Sequence, residues 1–241
     1  MHGNLCLSRI LGGRAESEGQ SFVIIRDLSQ TYDNGMPHAP TIPEPSFRQV
    51  MSVERDGVSV TQLSVATHVG THLDAPSHLI EGGKTIDQIS PDVLIGPATT
   101  VSVEKPGGEE ITAQDLIEAG GTGSPGDALL VRTGWGGKFG TEAYHEHPYL
   151  SEDAAQWIVD QQFRLVGVDT ITPELPGHLR PAEFNFPIHH ILLGDGVLII
   201  EHLFLEEVIG QQFDLFVGSL KIANADGAPA RVFAVFGSGT E

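Results

Sequence analysis

Residues 67–79, T-H-V-G-T-H-L-D-A-P-S-H-L, constrain this chain more than any other stretch. They place His68, His72 and His78 and the carboxylate of Asp74 within eleven positions, in a protein with 11 histidines among 241 residues. Imidazole and carboxylate are the ligands of a borderline divalent cation such as zinc or manganese. Histidines four apart are also how a helix shows two ligands on one face. Here Val69, Gly70 and Thr71 are poor helix formers, Pro76 closes the segment, and residues 58–65 alternate as a strand does. The segment is therefore expected to be a strand or a strand end. On an extended chain His68, Gly70, His72 and Asp74 share one face. His72 and Asp74 then lie about 6.6 Å apart along the backbone, and His68 and His72 about 13 Å apart unless the chain bends. Gly70 is the expected bend, because it reaches backbone angles closed to other residues and leaves room for an ion.

The rest of a site is expected far downstream. Residues 197–200, V-L-I-I, should form a buried strand, and they lead straight into Glu201. An ionised carboxylate carried into a core is costly unless it is paired or bound to a cation. A cation held by the first segment would satisfy it. His189 or His190 would arrive nearby if the Gly194-Asp195-Gly196 turn folds the preceding segment back onto that strand. Together these groups could hold two ions, with one carboxylate bridging.

Elsewhere short strands are interleaved with few helices. Strands are expected at residues 22–25, 98–103, 128–133, 165–168, 197–200, 215–217, 220–222 and 232–236. Residues 47–63 alternate in two pieces around Arg55-Asp56-Gly57, a hairpin signal. Helices are expected from Thr112 to Ala119, with Asp115 at the acidic third position, and from Ser151 to Gln162, with Trp157 and Ile158 on the core face. Residues 189–193 suit one or two helical turns, and residues 86–95 a short capped segment. Residues 31–45 and 172–187 carry four prolines each and read as loops. Gly134-Trp135-Gly136-Gly137 reads as a loop flexible enough to fold over a ligand. This order favours a mixed α/β architecture, a barrel-like β core with peripheral helices, over a doubly wound parallel sheet. With no internal repeat or domain boundary evident, residues 21–241 are expected to form a single domain and residues 1–20 a disordered extension.

Composition removes several classes of function. The formal charge of -19 argues against a nucleic-acid or anionic-membrane partner, and no stretch approaches the ~20 apolar residues that span a bilayer. Cys6, the single cysteine, allows no intramolecular disulfide and fits a reducing cytosol. No Gly-x-Ser-x-Gly elbow occurs and Cys6 lies in the extension, which disfavours a serine or cysteine hydrolase. A closed structural zinc site usually recruits cysteines, which disfavours a non-enzymatic metal-binding domain. His2, His38, His145, His147, His178 and His202 read as ordinary polar or core histidines.

The run from His68 to His78 resembles the H-x-G-T-H-x-D-A-P-x-H signature of the metal-dependent cyclase family, which includes bacterial kynurenine formamidases and isatin hydrolases. Asp27-Leu28-Ser29 with Gly35-Met36-Pro37, Thr85-Ile-Asp-Gln-Ile89, Leu130-Val-Arg-Thr-Gly-Trp135, Gly167-Val-Asp-Thr170, and His189-His190 with Glu201 follow in that family's order. The resemblance implies a swivelling β/β/α fold on a central barrel-like sheet, a cytoplasmic homodimer or higher homo-oligomer, and one or two divalent ions, zinc or manganese. It implies His68, His72 and Asp74 as metal ligands, with Asp74 bridging if two ions bind, His189 and Glu201 completing the second position, and His78 as general base and acid. The implied activity is hydrolysis of an amide or cyclic amide in a small molecule by a metal-activated water. A cyclase, dehydratase or lactone hydrolase acting on a polyketide-like carbonyl compound is the alternative.

Overall fold

Short β-branched and apolar runs cut by glycine and proline favour sheet over long helices, and sheet dominates. The computed structural model describes residues 23–237. Its strands are β1 (Ile24–Asp27), β2 (Ser46–Met51), β3 (Val60–Ser64), β4 (His72–Asp74), β5 (Ile95–Ser102), β6 (Glu110–Ile111), β7 (Ala128–Arg132), β8 (Tyr149–Leu150), β9 (Leu165–Val168), β10 (Leu198–Glu201), β11 (Gln212–Ser219) and β12 (Gly227–Phe236). Its helices are α1 (Val53–Asp56), α2 (Pro91–Leu94), α3 (Ala113–Glu118), α4 (Glu152–Asp160) and α5 (Pro187–Gly194). The expected extension over residues 1–20, with Cys6 and His2, and the start of the expected first strand at Phe22 lie outside the described residues. No helix among the described residues is long and apolar enough to cross a membrane.

Seven strands close into a barrel in the order β12, β11, β5, β7, β9, β10 and β4, with β4 returning to β12. The expected barrel-like α/β architecture is therefore present. β5, β7, β9 and β10 run parallel, and their crossovers carry α3, α4 and α5, as parallel neighbours require. Alternation along each strand assigns the two faces. Leu130, Leu165, Leu198 and Ile200 enter one apolar cluster, while Leu129, Val166 and Ile199 enter a second that includes Ile158 of α4 and Leu192 of α5.

The expected hairpin forms from β2 and β3, paired antiparallel, with Gly57 at a φ of 75° ending the single turn α1. It makes a two-stranded sheet of its own, and Val53, Val58, Val60 and Leu63 on it are exposed.

Two local expectations are corrected. Residues 220–222 are not a strand. β11 ends at Ser219, and the chain must then cross to β12 through a turn in which Asn224 takes a φ of 56°. Leu220 and Ile222 are exposed there, so their apolar character does not reflect burial. The 134–137 loop is not a free flap either. The Asp169 carboxylate just beyond β9 accepts the N–H groups of Thr133 and Gly134 at 2.9 Å and of Gly136 at 3.4 Å, and Gln30 holds the Gly136 carbonyl at 2.9 Å.

β4 is only three residues long, and Leu73 at its centre is fully buried. Leu73→Ala is expected to destabilise the protein by about 2–5 kcal/mol through lost burial and the cavity left behind. Denaturant unfolding measures this; a loss below about 1 kcal/mol would mean that β4 is held by something other than its apolar anchor.

Candidate metal centre

β4 is hydrogen-bonded on both sides, and its register with β10 sets His72 opposite Glu201 and Asp74 opposite Ile199. His72, Asp74 and Glu201 therefore share the face that α5 covers, while Leu73 and Ile200 turn to the other side. The chain bends into β4 at Gly70, whose φ of 57° is left-handed, as expected. The space beside Gly70 is not kept for an ion, however. The Tyr32 ring fills it, standing 2.8 Å from where a Cβ would be. Thr71 fixes the next step: its hydroxyl accepts the Gln30 N–H and donates to the His202 carbonyl, both at 2.8 Å. The bend brings the His68 and His72 rings to 5.2 Å. Pro76 then opens a 3-10 turn (Pro76–His78), which stacks the His78 ring on His68 at 3.8 Å. On α5, His189 is buried, whereas His190 is exposed with its ring against the Phe186 carbonyl. Of the two histidines that the residue pattern left open, the helix brings His189, the one the resemblance implied, into the cluster and turns His190 away.

Asp74 is the hub of the cluster. Its Oδ1 lies 2.7 Å from His68 Nδ1 and 3.2 Å from His72 Nε2, and its Oδ2 lies 3.5 Å from His189 Nε2. Glu201 reaches His72 Nε2 at 3.4 Å through Oε2 and His189 Nε2 at 3.3 Å through Oε1. Two triads meet at Asp74, His68/His72/Asp74 and Asp74/His189/Glu201, and His68/His78/Asp226 and His72/Glu201/His202 flank them; within each the candidate ligand atoms lie within 4.8 Å of one another.

The tautomers follow from the outer contacts. His72 Nδ1 donates to the Gly70 carbonyl at 2.8 Å, and His189 Nδ1 donates to the Glu174 carboxylate at 2.9 Å. The Nε2 of each ring is thereby turned on carboxylate oxygens, and only a proton or a metal ion can relieve that contact. His72 Nε2, Asp74 Oδ2 and Glu201 Oε1 are buried without a hydrogen-bond partner, a costly arrangement for polar atoms. These nitrogen and oxygen donors fit a borderline divalent ion.

The charges tell the same story for the metal-free chain. Burial depresses the basicity of His68, His72 and His189, yet the carboxylates outweigh it. With Asp74 and Asp226 beside it, His68 is raised to about 9, and His72 and His189 are also held above the ordinary imidazole value by Asp74 and Glu201. Burial alone would raise Asp74, but the surrounding imidazoles keep it well below the usual carboxylate range. His78 moves the other way, with burial holding its pKa below the ordinary value.

Three further residues belong to the cluster. Glu174 is fully buried and accepts both the ring and the backbone N–H of His189; it lies in a proline-rich loop with no spacing signal to mark it. Asp226 contacts His68 at 3.0 Å and could have been found only from the Asp-Gly turn before the last strand. His202, expected to be ordinary, is buried beside His72 at a φ of 58° and 3.1 Å from the Tyr144 hydroxyl. Trp135 is not part of the cluster; its indole donates to the Ala143 carbonyl and carries Lys138 on its face.

Comparisons with known proteins extend the geometry. Residues 26–175 match the Cyclase family, described as "Putative cyclase". The chain is 31% identical over 207 residues to a kynurenine formamidase of Geobacillus thermodenitrificans and 30% identical over 210 residues to one of Bacillus cereus, covering 85% of this chain and 94% of each relative. A solved structure from Bacillus stearothermophilus, described as a predicted metal-dependent hydrolase, is 29% identical with a TM-score of 0.73, over 89% of this chain and 98% of that one. An isatin hydrolase bound to the product analogue thioisatinate has a TM-score of 0.79 at 22% identity, over 89% and 93% of the two chains, and shares the fold. With the match covering most of the barrel and the whole His68–His78 run, the chain belongs to the cyclase family.

Proposed function

We propose that this protein is a metal-dependent hydrolase of the C–N bond in a small amide or cyclic amide, with residues 21–241 acting as one domain. The observation that carries this reading is the pair of triads sharing Asp74, buried except for the partly exposed His68, with His72 Nε2, Asp74 Oδ2 and Glu201 Oε1 left without partners. The kynurenine formamidase relatives, matched over 94% of their length, support the amide class. In this reading His68, His72 and Asp74 hold one zinc or manganese ion, and Asp74, His189 and Glu201 hold a second. A divalent ion there supplies polarisation of a substrate carbonyl and acidification of a water molecule.

The chain's own residues do the rest. Glu174 fixes the His189 ring so that Nε2 alone faces the site. Burial holds the His78 pKa below the ordinary imidazole value, which favours the neutral ring a base requires. With Nδ1 turned to Asp226, it has Nε2 left to take a proton from the attacking water and return it to the leaving nitrogen. One C–O bond forms, the C–N bond breaks, and the proton passes from water oxygen to nitrogen. A cytoplasmic homodimer suits this reading: Cys6 is the only cysteine, and the exposed apolar side chains of the β2–β3 hairpin offer a surface for a second copy.

Protein purified without added metal is expected to contain one or two ions per chain by plasma mass spectrometry and to hydrolyse N-formylkynurenine or isatin until chelated. Failure to take up metal under any reconstitution would sink the reading. His78→Ala is expected to retain metal and lose about 10²–10⁴-fold in kcat, the range of a general base; Asp74→Ala should lose metal and turnover together. A near-native rate in His78→Ala would remove its role.

The pH dependence has a definite sign. His68 is raised from 6.5 to about 9 in the metal-free chain, so its protonation stabilises the fold fully below pH 6.5, and that stabilisation is lost as the pH rises through 9. Metal uptake must displace this proton, so apparent affinity should rise with pH over the same window. Thermal unfolding with and without zinc at pH 6 and pH 9 should show a falling metal-free Tm and a growing metal-induced increment. An increment independent of pH would show that His68 is not a ligand.

A further inference from the structure

Asp226 stands outside both triads, yet one of its oxygens serves two of the site's histidines. Oδ2 lies 3.0 Å from His68 Nε2 and 3.5 Å from His78 Nδ1, and the two rings are stacked at 3.8 Å with 30° between their planes. The carboxylate is held in place from several directions. The Thr67 hydroxyl donates to its other oxygen at 3.0 Å, and the Ala75 N–H donates to its backbone carbonyl at 2.9 Å. The loop leading to it is tied down as well: Ile86 N–H donates to the Ala225 carbonyl at 2.8 Å, and Asn224 N–H to the Asp87 carboxylate at 3.0 Å. Gly227, which follows, pairs with Asp74. A Cβ there would stand 2.7 Å from His68 Cε1 and 2.9 Å from the Leu73 carbonyl, so the absence of a side chain lets the His68 ring lie against β12.

Resting on the metal-hydrolase reading, we propose that Asp226 is the positioning residue for both His68 and His78. By holding Nε2 of His68 it commits Nδ1, the nitrogen 2.7 Å from Asp74, to the ion. Outer carboxylates fix the tautomer and ring plane of metal-binding histidines in this way. By facing Nδ1 of His78 it leaves Nε2 as the nitrogen that exchanges a proton with substrate, the orienting role an aspartate plays for a base histidine. One carboxylate thus couples the plane of a ligand to the plane of the base through two stacked rings.

Asp226→Asn keeps the volume and one acceptor, and it is compared with the parent after both are loaded with cobalt(II), whose visible absorption reports ligand geometry. The variant is expected to bind cobalt about 10–100-fold more weakly, to show an altered absorption spectrum, and to lose kcat with little change in KM. Asp226→Glu should recover part of each. Thr67→Val, which removes only the hydroxyl that steadies Asp226, should shift the same readouts in the same direction by a few-fold, and it decides the question if Asp226→Asn does not fold. Parental cobalt affinity, spectrum and kcat in the variant would overturn the assignment while leaving the metal-hydrolase reading intact. A parent that binds no cobalt would overturn both.

Discussion

The barrel is closed through β4, a strand of three residues hydrogen-bonded to β10 on one side and β12 on the other. Its middle side chain, Leu73, is committed to the apolar interior, so alternation forces His72 and Asp74 onto the opposite face. That face is covered by α5, which brings His189, and it is extended by β10, which ends in Glu201. Polar side chains are thus delivered to a dry location by strands whose backbone groups are paired. A constellation carried on rigid paired elements holds its geometry better than one carried on loops.

That delivery creates an electrostatic problem whose solution defines the site. Asp74, Glu174 and Glu201 are buried within one cluster, and Asp226 lies at its edge. Four carboxylates in contact with neutral imidazoles would be strongly unfavourable away from water. The neighbouring carboxylates answer by raising the basicity of His68, His72 and His189 above that of a free imidazole despite their burial. Two divalent ions would answer it more completely, because four positive charges balance four carboxylates while the imidazoles turn neutral and become ligands. His78 is the exception among these histidines: it stacks on this array, and burial lowers its basicity.

Much of this was legible in the sequence because period-two alternation and glycine or proline punctuation act locally. The runs at 128–133, 165–168 and 197–200 are strands near their expected bounds, and Gly70 bends where expected. What the sequence did not show depends on long-range pairing. Residues 220–222 have strand-like letters, but the crossing from β11 to β12 uses them as a turn. Glu174 carries no local signal and Asp226 only the Asp-Gly pair before the last strand, since their partners lie across the fold and were brought to them by α5 and by the β4–β12 pair. Residue pattern alone left His189 and His190 open, the family resemblance implied His189, and the helix buries His189 and exposes His190. The loop at 134–137 looked free because glycine shows conformational range, whereas the Asp169 carboxylate that anchors it lies just beyond β9, far away in sequence.

The spacing of the His68–His78 run can now be read as a sequence of mechanical requirements. Gly70 permits the turn that folds His68 back toward His72, and it does so with the Tyr32 ring seated where a side chain would go. Thr71 has a hydroxyl because it must bridge the Gln30 N–H and the His202 carbonyl as the chain enters β4. Leu73 has to be apolar for β4 to be anchored between two polar neighbours. Pro76 starts a 3-10 turn immediately after the strand, which is the shortest way to bring His78 back onto His68. His68, His72, Asp74 and His78 then lie on one covalent segment, with the His78 ring stacked on that of His68. A carboxylate at the start of β12, tied to the hydroxyl of Thr67 at the head of the same segment, is placed to orient the His78 ring.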